Sequence, residues 1–412
     1  MSVRSESSFP SADAGRLLLA LAVGLGLLAA SWAALHLPPF DRFQIVDTLG
    51  YQEYGEAMAA GELPYRDFEV EYPPGALPAF WLPTLGPAEH YRSIFEALMW
   101  MCAAAMLAFV VRALATLEAA PERILAAAVF VGLFPLALGT VIQTRYDLWP
   151  AALTVAAVAA LLAGRDRLGL GVLALAVAAK IYPLVLLPLA VVYVARRRGS
   201  REAAVCLGVF AAVLALIVVP FVAVSPGGVL DSIERQAGRP LQIESLGASF
   251  LLAGKQLGLY EPTVVTTHGS QNLYGLLPDA LATVQTVLQA AALVAIWLLF
   301  ARGPATPTRF AAASAASVVA FVAFGKVLSP QFLVWLVPLV PLVAGRPGLA
   351  AGALLGAALV ATHLWFPTRY WDVVAFEPVG WVVLVRNLLL VALAAALVAL
   401  IRRPGPAAPR SG

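Results

Sequence analysis

Residues 203–224 read AAVCLGVFAAVLALIVVPFVAV, an apolar run without a charge, bracketed by Arg201 and Glu202 on one side and Ser225 and Pro226 on the other. A helix rises about 1.5 Å per residue, so a run of this length crosses the roughly 30 Å hydrocarbon core of a bilayer. Such runs recur along the chain. Hydropathy marks about twelve, at 17–35, 93–115, 122–140, 148–163, 168–182, 184–195, 203–224, 280–300, 310–325, 331–345, 348–366 and 379–401. The run at 184–195 is short, follows Pro183 and suits half of a broken helix. Of 412 residues, 61% are hydrophobic and only 12% charged, where an ordinary soluble domain carries about a quarter charged residues. The expectation is an all-α protein: a polytopic transmembrane helical bundle occupying residues 17–403 as one integral-membrane domain. A cytoplasmic tail over 1–16 precedes it, and a Pro- and Ala-rich cytoplasmic tail over 404–412 is expected to be disordered. The run beginning at Leu17 is too long for a signal-peptide core and no small-residue cleavage site follows it, which predicts a retained span.

Orientation follows from the basic residues. With the N-terminus in the cytoplasm, sixteen of the 27 Lys and Arg fall on the cytoplasmic side, ten outside, and Arg386 within a span. The positive-inside rule favours that arrangement. Acids run the other way, with eighteen of 24 outside, and topology does not require this. The cytoplasmic connections are short, whereas two outer loops are long, at about 38–91 and 225–279. All three lysines, Lys180, Lys255 and Lys326, also fall outside. Polar chemistry is therefore predicted at the non-cytoplasmic face of the plasma membrane.

The first outer loop interleaves Asp41, Asp47, Glu53, Glu56, Glu62, Asp67, Glu69 and Glu71 with aromatics and Gly/Pro turns. Residues 47–60 suit a short amphipathic helix on the membrane surface. Glu53, Glu56 and Glu62 read as a solvated face. Asp47 follows Ile45 and Val46 close to the bilayer, where an acid can act as a base on a substrate delivered by a lipid. In TRYD, 144–147, the pair Arg145 and Asp147 suits either a structural anchor or an anionic head group held by Arg145 with Asp147 orienting it. Lys180 and Lys326 each precede a proline and have no acid beside them in sequence. Snorkelling explains most such lysines, and an unpaired ammonium bound to a lipid phosphate is the alternative. Arg386 lies about 10 Å into the last span, which leaves a site and a snorkelling residue both open.

The second loop holds RPLQIESLG at 239–247 and HGSQN at 268–272. Glu244 and His268 there suit hydrogen bonding to hydroxyl-rich ligands, against the plainer reading of a capped re-entrant loop. Cys102 and Cys206 sit inside apolar runs and read as packing residues. Four scattered histidines give no zinc spacing, no Gly-rich phosphate loop is present, and a net charge of +3 carries no nucleic-acid signal.

In their order these pieces resemble the GT-C class of integral-membrane glycosyltransferases. Within it they are most similar to glycosyltransferase family 87, the polyprenyl-phosphate-mannose-dependent α-mannosyltransferases. The carriers are Asp47 with its following tyrosines, GELPY at 61–65, EYPPG at 71–75, RYD at 145–147, KIYP at 180–183 and KVLSPQ at 326–331, spread over most of residues 40–340. The resemblance implies an inverting enzyme with Asp47 as general base, acting on a sugar, mannose by the likeness, carried on a polyprenyl phosphate. The acceptor would be a cell-envelope glycolipid or glycan. Lys180, Lys326 and Arg145 would hold the donor phosphate, with Asp147, Glu71, Tyr72, Glu244, His268, Gln331 and Arg386 as substrate contacts. No metal is required on this reading, although a divalent ion fits the chemistry. At Glu244 the chain departs from the likeness, which has an amide there. The rival classes are a secondary transporter and a lipid or glycan flippase. Both want ionisable residues through the membrane core, and transporters usually show two related halves; here the ionisable residues cluster outside and no such halves are evident.

Overall fold

Seven helices of the computed structural model, which describes residues 11–402, are long and apolar enough to cross a bilayer. The flanking residues 1–10 and 403–412 lie outside the described part, and with them most of the predicted N-terminal tail and the whole predicted disordered tail. The order begins with α1 (Ser11–Ala34), the surface helix α2 (Thr48–Ala59), the short α3 (Leu77–Trp81), α4 (Tyr91–Thr116) and α5 (Pro121–Leu138). A four-residue turn α6 (Val141–Thr144) leads into α7 (Leu148–Leu162), α8 (Asp166–Ala179), α9 (Leu187–Arg198) and α10 (Ser200–Val224). The second loop carries α11 (Pro226–Ala237), β1 (Leu241–Gln242), α12 (Leu246–Gln256), β2 (Thr263–Thr267) and β3 (Ser270–Tyr274). The chain closes with α13 (Leu276–Arg302), α14 (Pro307–Ala323), α15 (Gly345–His363), the short α16 (Tyr370–Val374) and α17 (Gly380–Arg402).

Small residues bring these helices together. A Cβ on Gly24 would stand 3.1 Å from Ala128, and one on Gly132 would stand 2.8 Å from the Gly24 carbonyl, so α1 and α5 meet backbone to backbone. Membrane helices pack this way because lipid removes the hydrophobic drive and leaves close van der Waals contact to hold them. Helix α14, AAASAASVVAFVA after its first turn, is buried along most of its length. By contrast α10 buries only Ala203, Cys206 and Phe210 and shows Leu216 and Val219 outward, the pattern of a lipid-facing helix.

Each predicted span has a helical element, and five are shorter than a bilayer crossing. Helices α7, α8, α9 and α14 have 15, 14, 12 and 17 residues. The stretch at 331–345 is no α-helix at all but two 3-10 turns, Pro330–Trp335 and Val340–Leu342. Pro330, Pro338 and Pro341 remove three backbone donors there, and the stretch survives because protein surrounds it. Helix α9 follows a 3-10 turn, Tyr182–Leu186, as the broken-helix expectation required. The sequence held no clear sign of the small antiparallel sheet, order β1-β3-β2. Its β2–β3 turn has His268 and Gly269 at φ 53° and 62°, the two left-handed positions a tight hairpin needs.

The two long loops lock together at one end of the bundle. Ser225 Oγ donates to the Tyr65 carbonyl at 2.8 Å, Gln236 Nε2 donates to the Glu71 carbonyl at 3.2 Å, and Arg235 pairs with Glu69 at 2.7 Å. Arginines hold the other end. Arg196 donates to the Ala301 carbonyl at 2.7 Å, Arg309 to that of Phe300 at 2.8 Å, and Arg123 to that of Leu342 at 2.7 Å. Helix C-termini leave carbonyls unpaired and partly negative, so cations belong there.

Candidate functional site

Asp47 begins α2, and its carboxylate does not cap that helix. It turns instead to Arg145, with Nη1 2.6 Å from Oδ1. The helix is held in place by its inner face. Tyr51 stacks on Phe80 with ring centroids 4.4 Å apart and meets Tyr72 and Tyr146 edge-on at 5.7 and 5.8 Å. A Cβ on Gly55 would stand 2.4 Å from the Phe80 carbonyl, so only glycine admits this approach. Arg145 is 6% exposed, lies in extended backbone between α6 and α7, and leaves its Nε without a partner.

A second pair lies alongside. Lys180 Nζ donates to Asp147 Oδ1 at 2.6 Å, and the same oxygen accepts from Trp335 Nε1 at 2.7 Å. Lys180 follows α8 in extended backbone, its ammonium over the Tyr146 ring at 4.5 Å and over Trp335 at 5.2 Å. Tyr182 and Phe332 both stack on Trp335, each at 4.1 Å. The EYPPG turn is pinned to this place as well. A Cβ on Gly75 would meet the Ala178 carbonyl carbon at 2.5 Å, and Trp149 Nε1 donates to the Gly75 carbonyl at 3.2 Å. Tyr72 thus packs against Tyr146 at 5.1 Å.

In sequence Lys180 has no acid beside it, and Arg145 with Asp147 reads either as a structural anchor or as a pair in which Asp147 orients a head group held by Arg145. The fold exchanges these partners: Asp147 takes Lys180, and Asp47 takes Arg145. Arg145 is extended and Asp147 already helical, and the two side chains close on different partners. Of the four side chains, Asp47 is the open one, 37% exposed against 7% for Arg145, 16% for Lys180 and 2% for Asp147. The protein packed around it lifts the Asp47 carboxyl above the ordinary aspartate range, while Arg145 pulls the other way.

The second loop supplies a different arrangement. Glu244 is buried, and its backbone carbonyl accepts from Arg386 Nη2 at 2.8 Å and Asn387 Nδ2 at 3.2 Å. Arg386 therefore points inward with no exposure and does not snorkel. Gln242 Nε2 reaches the Glu244 carboxyl at 3.1 Å and Ser329 Oγ at 3.0 Å, and Gln242 Oε1 accepts from the Leu328 amide at 3.0 Å. These bonds dock QIESL onto KVLSPQ. Burial pushes the Glu244 carboxyl up to about 8, against the pull of Arg386, Arg145 and Arg239.

The remaining candidates are more dispersed. Lys326 Nζ donates to the Ala237 carbonyl at 3.0 Å and joins none of the ion pairs found among the described residues. Glu71 and His268 line an open cleft of about 410 Å³ with Arg235, Gln236, Thr267 and Gly269. Gln331 is half-buried at the start of the 3-10 turn after Pro330. Trp335 and Gln285 were not singled out beforehand, and Gln242 and Arg239 only as part of RPLQIESLG. Gln285 accepts from the Gly247 amide at 2.7 Å and donates to the Gly325 carbonyl at 2.9 Å, tying the two motif loops together from inside α13. A glutamine within an apolar run was the available signal. Among the described residues no three His, Cys, Asp or Glu side chains are grouped to hold a metal ion.

The model of glycosyltransferase family 87 matches residues 71–330, more than half of the chain. That span includes Glu71, Tyr72, Arg145, Asp147, Lys180, Glu244, His268 and Lys326, whereas Asp47, Gln331 and Arg386 lie outside it. No curated protein matches the chain.

Proposed function

The chain belongs to glycosyltransferase family 87, and from that premise we propose that it transfers a sugar, mannose in the first instance, from a polyprenyl-phosphate donor to a cell-envelope glycolipid or glycan. The reaction takes place at the outer face of the plasma membrane. The observation that carries this reading is the aromatic-lined recess in which an open carboxylate, Asp47, stands beside two sheltered cations, Arg145 and Lys180.

The lipid phosphate sits toward Arg145 and Lys180, with Lys326 at the outer edge of the approach. Asp47 takes the proton from an acceptor hydroxyl, whose oxygen then attacks the anomeric carbon from the side opposite the phosphate. The bond to the phosphate oxygen breaks as the new glycosidic bond forms, and the configuration inverts. Negative charge gathers on the leaving phosphate, where cations fixed in a low-dielectric recess stabilise it more than mobile water does. A phosphate monoester leaves without protonation, so no general acid is assigned and a divalent ion is not needed for departure. Glu71, Tyr72 and His268 border the acceptor's side, and Gln331 closes the donor's.

Membranes containing the protein and decaprenyl-phosphate [14C]mannose should yield labelled glycolipid, and Asp47→Asn should abolish it with the protein still present. Labelling from GDP-mannose, in membranes that cannot make the lipid donor, would remove the polyprenyl-phosphate assignment. Full activity in Asp47→Asn would remove Asp47 as the base.

A further inference from the structure

Among the described residues Arg386 is the least exposed charged side chain. It has no exposure, and its Nη2 is used on the Glu244 carbonyl, yet its Nε and Nη1 have no partner. The same shell holds two more unpartnered buried atoms, Asn387 Oδ1 and Trp365 Nε1, and the guanidinium lies over the Trp365 ring at 5.6 Å. The Glu244 carboxyl is buried beside them. Arg386 is the charge that acts on it most strongly, although the arginine's hydrogen bond goes to the backbone oxygen instead. Buried guanidinium N–H groups cost several kcal/mol unless something accepts from them.

The unused capacity is mixed. Arg386 Nε, Arg386 Nη1 and Trp365 Nε1 donate; Asn387 Oδ1 accepts, and the Glu244 carboxyl accepts as well. A phosphate would meet the arginine well and be repelled by the two acceptors. Hydroxyl groups both donate and accept, so a pair of them on one ring answers both kinds of partner. Gln242, which bonds the Glu244 carboxyl, also bonds Ser329, and the 3-10 turn that Ser329 opens carries Trp335, the donor to Asp147 Oδ1, which ties this shell to the recess that holds the proposed base.

We propose that Glu244, Arg386, Asn387 and Trp365 form a subsite that grips hydroxyl groups of a sugar ring. The proposal rests on the reading that the recess handles a lipid-linked sugar, and it names which residues read that sugar. Two rings could supply the hydroxyls, that of the donor and that of the acceptor.

The test uses the full-length protein in lipid nanodiscs. Binding is measured for decaprenyl phosphate, for decaprenyl-phosphate mannose and for octyl α-mannoside, in the native chain and in Glu244→Leu, Arg386→Met and Glu244→Gln. Leucine and methionine remove hydrogen bonding at similar volume, a thermal melt checks that each variant folds, and the double variant Glu244→Leu with Arg386→Met, which removes both charges together, stands in for a single one that does not. The native protein should bind the mannosylated lipid about tenfold more tightly than the bare lipid, the worth of one hydrogen bond to a charged group. That ratio should fall toward one in Glu244→Leu and Arg386→Met and persist in Glu244→Gln. If the ratio holds while octyl α-mannoside weakens about tenfold, the subsite stands and belongs to the acceptor ring. If the native protein ignores both decaprenyl lipids but the glycoside still weakens in the variants, the donor reading fails and the subsite survives. Unchanged affinity for all three probes in folded Glu244→Leu and Arg386→Met means the group is a water-bridged structural network, and the proposal is overturned.

Discussion

Asp47 and Glu244 are both acids set near an arginine at the loop end of the bundle, and they are built in opposite ways. Asp47 is partly open and closes an ion pair with Arg145 at 2.6 Å. Glu244 is 2% exposed, and the nearby arginine bonds its backbone carbonyl instead of its carboxyl. Burial lifts both carboxyls, but at Asp47 the paired Arg145 pulls against it, whereas at Glu244 no cation closes on the carboxyl and burial carries it up to about 8. The partly open, paired carboxylate is thus suited to taking a proton, and the buried carboxylic acid in the neighbouring shell to hydrogen bonding a neutral group. The same division of labour separates acid from base wherever two carboxyls have different surroundings.

The hardest blow to this contrast is Asp47→Asn. It keeps the shape, removes the proposed base and should lower the transfer rate by about 10²–10⁴, read as initial velocity at saturating donor. A loss below tenfold would mean that Asp47 serves only to hold Arg145.

Next comes Asp147→Ala. It leaves the Lys180 ammonium buried without its anion, and removing one partner of such a pair costs about 3–5 kcal/mol. The variant should melt well below the native protein in detergent. The double variant Asp147→Leu with Lys180→Met should recover most of that stability and still use the lipid donor poorly, its donor KM raised about tenfold by the loss of one charge-assisted contact. A double variant with native donor KM would reduce the pair to a structural anchor.

How much of this was legible beforehand depends on the range of each interaction. The spans were, because each is a local run of apolar residues, and even the broken helix at 184–195 announced itself through Pro183. The run at 331–345 did not, since hydropathy reads composition and passes over what three prolines do to a backbone. The candidate residues were legible as types and misread as partners. Lys180 finds Asp147 across 33 positions, and Asp147 finds Trp335 across 188, distances at which no spacing rule operates. Charge near charge in sequence suggested Arg145 with Asp147, and the two side chains close on different partners. Arg386 could not be decided on depth alone, because Glu244, the group that draws it inward, sits 142 positions away.

The smallest expected effect, and the sharpest on the contrast, belongs to Glu244→Gln. With its carboxyl pushed up to about 8, Glu244 is mostly protonated at pH 7 and offers one donor and one acceptor, which is what an amide offers. That accounts for a glutamate standing where the family resemblance has an amide. Glutamine should therefore leave transfer at pH 7 within about threefold of native, no more than one weak net hydrogen bond. The difference should appear with pH. A carboxyl whose folded value lies above its unfolded value of about 4.3 binds its proton more tightly when folded. Its contribution to stability is complete below that unfolded value and is lost as pH rises toward 8. The native protein should lose thermal stability across this window relative to Glu244→Gln, whose neutral amide does not titrate. Its sugar-dependent binding should also weaken above pH 8 while that of the variant stays level. Parallel pH profiles in the two proteins would show that Glu244 is ionised throughout, and the opposition between the two acids would dissolve.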